Sequence, residues 1–130
     1  MSKRYLKAYL AVLFMFALLD GVWLGVVAMD WYRDAFSTLL RDPFITWPWV
    51  VFYLGYSAAV VGLAVNPERQ ETSLTCLGRG ALLGAAAYGT YNLTGYAIIS
   101  DWPLGMTLVD LAWGTVATAL LAVSGHIAAR

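Results

Sequence analysis

The sequence predicts an all-α integral membrane protein, a four-helix bundle made of two transmembrane hairpins. Composition is the first reason, because 61% of the 130 residues are hydrophobic and only 12% are charged. The mean hydropathy of +0.68 is typical of a membrane protein. Length is the second reason, since the chain has room for about four spanning helices of ~20 residues each and for no separate soluble domain. We therefore expect residues 1–130 to form one transmembrane domain.

Four apolar runs, separated by polar segments, predict helices at about residues 5–28, 47–65, 78–98 and 104–128. Pro48 suits the first turn of the second helix, where a missing N–H costs nothing. A cleavable signal peptide is a competing interpretation of the first run. We disfavour it because the run exceeds the usual apolar region of about 7 to 15 residues and contains Asp20 and Trp23.

The distribution of basic residues predicts the orientation of the helices. Cytoplasmic loops of membrane proteins carry an excess of Lys and Arg. Six of the eight basic residues fall on one predicted side, namely Lys3, Arg4, Lys7, Arg69, Arg79 and Arg130. Both termini are therefore expected in the cytoplasm. The formal net charge is zero, and no basic stripe is present to follow a phosphate backbone, which argues against nucleic-acid binding.

Two acidic residues lie inside the predicted membrane helices, and each opens the pattern Asp-x-x-Trp followed closely by Gly. The copies pair Asp20 with Trp23 and Asp110 with Trp113. A carboxylate near the middle of a membrane helix costs about 2.5 to 3.5 kcal/mol, so it normally faces a partner, a cavity or a ligand. The repeated pattern therefore predicts a buried polar site.

One polar residue from each predicted helix reaches a similar depth in the membrane. Asp20 lies roughly 12 Å and Asp110 roughly 9 Å from the outer ends of their helices, at ~1.5 Å of rise per residue, and Tyr53 and Asn92 reach nearly the same level. Helical spacing places Tyr88 on the face of Asn92. The predicted ligand or ion pocket consists of Asp20, Trp23, Tyr53, Tyr56, Tyr88, Asn92, Asp110 and Trp113.

Small residues predict where helices approach closely. Gly21 with Gly25 and Gly80 with Gly84 form two GxxxG patterns, which allow close packing of membrane helices. The only histidine, His126, lies near the cytoplasmic end of the last helix, so no metal site with the two acids is expected. No motif identifies a cofactor, and no nucleophile accompanies the acids to predict a catalytic residue.

These residues give the chain a resemblance to a known bacterial family. Over nearly its whole length it resembles the membrane proteins of domain of unknown function 2177. The resemblance rests on Leu19-Asp20 with Trp23-Leu24-Gly25, Phe52-Tyr53 with Tyr56, the run Tyr88 to Thr94, and Trp102-Pro103 with Asp110, Trp113 and Gly114. It implies four spanning helices, a multi-pass location in a bacterial cytoplasmic (inner) membrane, and no established activity. Asn92 stands where the family commonly has aspartate, and Gly95 where it commonly has asparagine.

Several functions remain open. The first is a small binding or transport module, expected to be oligomeric, whose outward-leaning pocket takes a cation, a proton or a small amphipathic molecule. The second is an accessory subunit of a larger membrane complex. The third is an intramembrane enzyme of lipid modification in which Asp20 and Asp110 act as acid and base, although non-enzymatic roles agree better with the sequence. The fourth is purely structural: the two acids bind no ligand and hold the helices together through hydrogen bonds. The lipid bilayer is the one partner that all of these share.

Overall fold

The computed structural model describes residues 3–130 and contains five α-helices within them. The first, α1 (Lys3–Val22), continues as a π-helical turn (Trp23–Val27), and a short helix, α2 (Met29–Ala35), follows. Next, α3 (Trp47–Ala59) continues as a π-helical segment (Val60–Val65) and a 3₁₀ turn (Pro67–Arg69). The last two helices are α4 (Ser73–Ile98) and α5 (Leu104–Ala128).

The expectation of four helices omitted α2. This helix of seven residues lies in the polar segment between the first two apolar runs. That segment has no long stretch of helical hydrophobic periodicity from which a helix could be predicted. Asp30 in its first turn and Arg33 in its last turn complement the helix dipole. The π-helical turn before it, closed by the Ala28 N–H bonding to the Trp23 carbonyl at 2.7 Å, changes the direction in which Trp23 projects.

Three stretches of residues 3–130 are long and apolar enough to cross a membrane, namely Lys3–Val27, Trp47–Arg69 and Leu104–Ala128. The chain is therefore a multi-pass membrane protein with three candidate spans. Helix α4 has 26 residues, which is long enough, but its many Gly, Thr and Tyr residues and Asn92 make it less apolar. The fourth span, the two hairpins and the cytoplasmic termini stay predictions.

Helices α4 and α5 pack closely through glycines. A Cβ on Gly80 would lie 2.6 Å from the Thr118 carbonyl oxygen, and a Cβ on Gly84 would overlap the backbone of Gly114. Gly114 in turn lies against the ring of Tyr88. Gly21 and Gly25 differ, because a Cβ on either would meet no atom within 4 Å among the described residues. A packing role for that pair needs another molecule and stays a prediction.

A hydrophobic core joins α1, α3 and α5 below the level of the acids. Val12, Phe16, Val65 and Leu121 are almost fully buried. The Phe16 ring contacts the Tyr53 ring edge-on, with centroids 4.6 Å apart. This packing fixes how α1 and α3 face each other, and with it the position of the side chains one turn further along.

The two chain ends and the α3–α4 connection meet at one end of the molecule. The Arg4 guanidinium donates to the Ala129 carbonyl at 3.0 Å and to the Pro67 carbonyl at 2.7 Å. Arg130 donates to Ser73 Oγ at 3.1 Å. These bonds close this end, whereas the acids lie toward the opposite end, under α2.

Candidate functional site

Asp110 is the centre of a buried hydrogen-bond network between α5, α4 and α2. Its side chain is only 9% exposed. Tyr32 Oη donates to Asp110 Oδ1 at 2.5 Å, and Asn92 Nδ2 donates to Asp110 Oδ2 at 2.7 Å. Tyr91 Oη donates to the same Oδ2. The carboxyl group therefore has three donors from two other helices.

Asp20, at the end of α1, has a second and simpler set of partners. Tyr53 Oη on α3 donates to Asp20 Oδ2 at 2.7 Å. Trp113 Nε1 on α5 donates to Asp20 Oδ1 at 3.2 Å. Within residues 3–130, the ion pairs that the structure contains involve Arg69, Arg79 and Glu71, so neither membrane acid is neutralised by a basic side chain.

The tryptophan of each Asp-x-x-Trp copy is hydrogen-bonded to the acid of the other copy, directly or through one tyrosine. Trp113 of the second copy donates directly to Asp20 of the first. Trp23 of the first copy donates to Tyr32 Oη at 3.1 Å, and Tyr32 in turn donates to Asp110 of the second. The two indole rings stack at 4.5 Å with an angle of 6° between their planes. The repeated pattern therefore builds one connected site from two helices.

Both acids face a single cavity of about 640 Å³ near the end of the molecule that α2 covers. More than half of the residues that line it are aromatic, and Arg33 and Arg41 line it as well. This volume falls within the usual 300–1,000 Å³ of small-molecule sites, which are mostly apolar with a few placed polar groups. The arrangement can therefore hold an apolar body against the aromatic walls and a polar group against the carboxylates.

The structure brings together all but one of the predicted pocket residues. Those that line the cavity are Asp20, Trp23, Tyr53, Tyr88, Asn92, Asp110 and Trp113. Tyr56 lies outside it, because the packing of Phe16 against α3 turns Tyr56 into the core. There its hydroxyl shares a hydrogen bond of 2.7 Å with Thr118 Oγ1. The structure therefore places Tyr56 in helix packing, and its assignment to a ligand pocket stays a prediction.

Sequence reasoning missed two of the residues that hold Asp110. Tyr32 lies in the polar segment between the first two apolar runs, and nothing in that segment signals that a short helix will turn its side chain inward. Tyr91 directly precedes Asn92 in sequence, so the two point about 100° apart on a helix. Both nevertheless reach Asp110, because Tyr91 is long enough to reach around the helix surface.

Comparison with known proteins places the chain in a family. A family model for predicted membrane proteins, DUF2177, matches residues 5–127. The chain belongs to the DUF2177 family. This finding confirms the resemblance seen in the sequence, and the match includes both acids and both tryptophans of the site. No curated protein and no solved structure matches the chain.

The hydroxyl of Tyr32 is held in its protonated form in this DUF2177 protein. Burial, together with the hydrogen bond to Asp110, raises the pKa of Tyr32 above its ordinary value. A protonated hydroxyl can accept from Trp23 and donate to Asp110 at the same time. Tyr32 therefore works as a relay between the two copies of the motif over the physiological pH range.

The two acids of this DUF2177 site are held by hydrogen-bond donors. Within residues 3–130, no group of three or more His, Cys, Asp or Glu side chains is arranged to hold a metal. His126 lines a small cavity at the closed end, beside Arg4 and Glu71. The carboxylates are instead surrounded by hydroxyl, indole and amide donors. These donors position the carboxylate oxygens and leave the aromatic walls of the cavity free to contact an apolar surface.

Proposed function

We propose that this DUF2177 protein binds a small amphipathic molecule in the cavity above Asp20 and Asp110, through an amine or another hydrogen-bond-donating group. The observation that carries this proposal is the pair of acids at the base of one aromatic cavity. An intramembrane acid is a functional-site hypothesis by default. The cavity of about 640 Å³ is far larger than a bare cation or proton requires, which favours an organic ligand.

The proposal includes a four-helix transmembrane bundle in which α4 is the fourth span. Both termini lie in the cytoplasm of a bacterium, and the cavity leans toward the outer face of the inner membrane. Binding is favoured over transport because Arg4 ties together the chain ends and the α3–α4 connection. Passage through the molecule would require those bonds to break.

Native mass spectrometry of the protein released gently from its own membrane tests this function. The unaltered chain is compared with a variant carrying both Asp20→Asn and Asp110→Asn. These changes remove two charges and keep a side-chain oxygen at each position. The matched control carries Glu68→Gln and Asp101→Asn, two exposed acids outside the cavity. A small molecule retained by the control and lost from the site variant is expected, and retention by both would refute the proposal.

An accessory subunit of a membrane complex is the second candidate. Gly21 and Gly25 favour it, since both face open space on a helix that the rest of the chain covers little. Small residues of this kind allow a second membrane helix to approach closely. The same mass spectra decide between the two, because a stoichiometric protein partner, retained by the site variant, would make the acids interhelical fasteners.

A further inference from the structure

A second cavity, of about 380 Å³, lies on the outside of the molecule between α1 and α3. It is lined by Leu13, Ala17, Asp20, Gly21 and Tyr53. Leu13, Ala17 and Gly21 follow one another at intervals of four residues, so they form a stripe roughly 12 Å long on one face of α1. We name this feature the lateral groove. Its floor is apolar, and its polar end is formed by Asp20 and Tyr53.

The lateral groove faces the hydrocarbon of the bilayer. It lies along Lys3–Val27, a candidate span of which only 11% of the residues in its most apolar window are buried within the chain. Leu10, Phe14 and Leu18 on the same helix are about half exposed or more. Gly21 has no side chain to fill the space, and a Cβ there would meet nothing within 4 Å. Molecules dissolved in the membrane therefore reach the groove without crossing water.

Among residues 3–130, only Asp20 and Tyr53 line both the lateral groove and the cavity above the acids. Their hydrogen bond of 2.7 Å lies on the boundary between the two spaces. Asp20 Oδ1 is also held from the cavity side by Trp113, so displacing the Tyr53 hydroxyl breaks one hydrogen bond whereas displacing Asp20 breaks two. Displacement of that hydroxyl would open the boundary between the groove and the cavity.

We infer that the lateral groove is the entrance through which the ligand reaches the cavity from within the bilayer, and that the Asp20–Tyr53 hydrogen bond is its gate. This inference rests on the proposed function. It makes the ligand a membrane-dissolved molecule with an apolar body and one polar group. Opening the gate leaves two polar groups without partners in apolar surroundings, which is costly. A ligand with a hydrogen-bonding group replaces the broken bond, whereas a pure hydrocarbon does not.

Stopped-flow fluorescence on the protein in phosphatidylcholine vesicles tests the entrance. The probe is N-phenyl-1-naphthylamine, an apolar aromatic amine that dissolves in bilayers and carries one N–H donor. Gly21→Leu fills the groove, and Gly25→Leu is the matched control, because Gly25 also faces open space one turn along and lines neither space. We expect Gly21→Leu to slow association and dissociation alike by about tenfold, with the equilibrium affinity unchanged.

Tyr53→Phe provides an independent test of the gate. It keeps the ring and removes the hydroxyl that bonds to Asp20, so the association rate should rise roughly five- to tenfold, the factor that one hydrogen bond contributes. Dissociation should rise by at least as much, because Asp20 also loses one of the two bonds that hold it. The entrance is overturned if Gly21→Leu leaves both rates unchanged, or if Gly25→Leu slows them equally. The ligand would then reach the cavity from the side that Arg33 lines. If the protein shows no probe binding that depends on Asp20 and Asp110, the proposed function is overturned together with the entrance.

Discussion

Replacing Gly84 with alanine tests whether the close contact between α4 and α5 positions the site. A Cβ at this position would overlap the Gly114 carbonyl oxygen and lie 2.8 Å from Thr118 Cβ, whereas apolar atoms normally stay about 3.5–4.0 Å apart. The Gly114 oxygen belongs to the backbone and cannot rotate away, so the helices must separate. Overpacking of this kind costs about 1–3 kcal/mol.

The matched control is Gly78→Ala, the same chemical change on the same helix. A Cβ on Gly78 meets nothing within 4 Å, and alanine is favoured over glycine in a helix by up to about 1 kcal/mol. Equilibrium unfolding in mixed micelles with increasing sodium dodecyl sulfate, followed by circular dichroism, should place the two variants on opposite sides of the unaltered chain. The reasoning fails if both variants unfold at the same detergent fraction.

Gly84→Ala should also weaken ligand binding. Asn92 lies two turns after Gly84 on α4, and its Nδ2 reaches Asp110 Oδ2 on α5 at 2.7 Å. Separation of the helices lengthens that bond and loosens the carboxyl group that faces the cavity. Probe affinity should therefore fall in Gly84→Ala and stay constant in Gly78→Ala. A destabilised variant with full affinity would show that the site does not depend on this contact.

Three further predictions concern other parts of the network. Trp113→Phe keeps the stack and removes the bond to Asp20, so probe affinity should fall roughly five- to tenfold; an equal affinity in titration would contradict this. Because the pKa of Tyr32 is raised, its contribution to stability is complete below about pH 10 and is lost as the pH rises from there toward the raised value. Unfolding measured across that range should show this loss, and Tyr32→Phe should make it smaller. Arg4→Ala loses two bonds to carbonyl oxygens, and we expect a loss of about 1–3 kcal/mol in unfolding free energy, against little change for the exposed control Lys7→Ala.

Apolar length predicted the positions of α1, α3 and α5 because a long run of hydrophobic residues admits few other structures. The same argument missed α2, whose seven residues are too few for a periodic signal. It also gave no sign of the π-helical turns at Trp23–Val27 and Val60–Val65, since those depend on how each helix meets its neighbours. Local sequence therefore predicted the long apolar helices and missed the short polar one.

The acids could be found from sequence because burial of a carboxyl group in a membrane helix needs a reason. The tyrosines could not be sorted in the same way. Tyr53 and Tyr56 lie three residues apart, about 60° from each other around α3, and that difference separates the cavity from the core. Helix rotation is set by packing, here by Phe16 against both rings. Sequence spacing alone does not determine it.

The network fixes which oxygens of the two acids accept hydrogen bonds. The Trp113 indole N–H can only donate, so Asp20 Oδ1 must be an acceptor. Asn92 Nδ2 donates to the Tyr88 carbonyl as well as to Asp110 Oδ2, which fixes the orientation of the amide and makes that Oδ2 an acceptor too.

A tyrosine hydroxyl faces Asp20 Oδ2, and one faces each oxygen of Asp110, namely Tyr32 at Oδ1 and Tyr91 at Oδ2. A hydroxyl can donate or accept, so each acid has a neighbour that can bond to its ionised or to its protonated form. A cationic amine favours the ionised acids and a neutral donor is compatible with the protonated ones. Infrared spectra of the carboxyl C=O stretch, recorded with an alkylamine and with the alcohol of equal chain length, should therefore show less protonated carboxyl in the amine complex than in the alcohol complex. Identical spectra for the two complexes would contradict this difference.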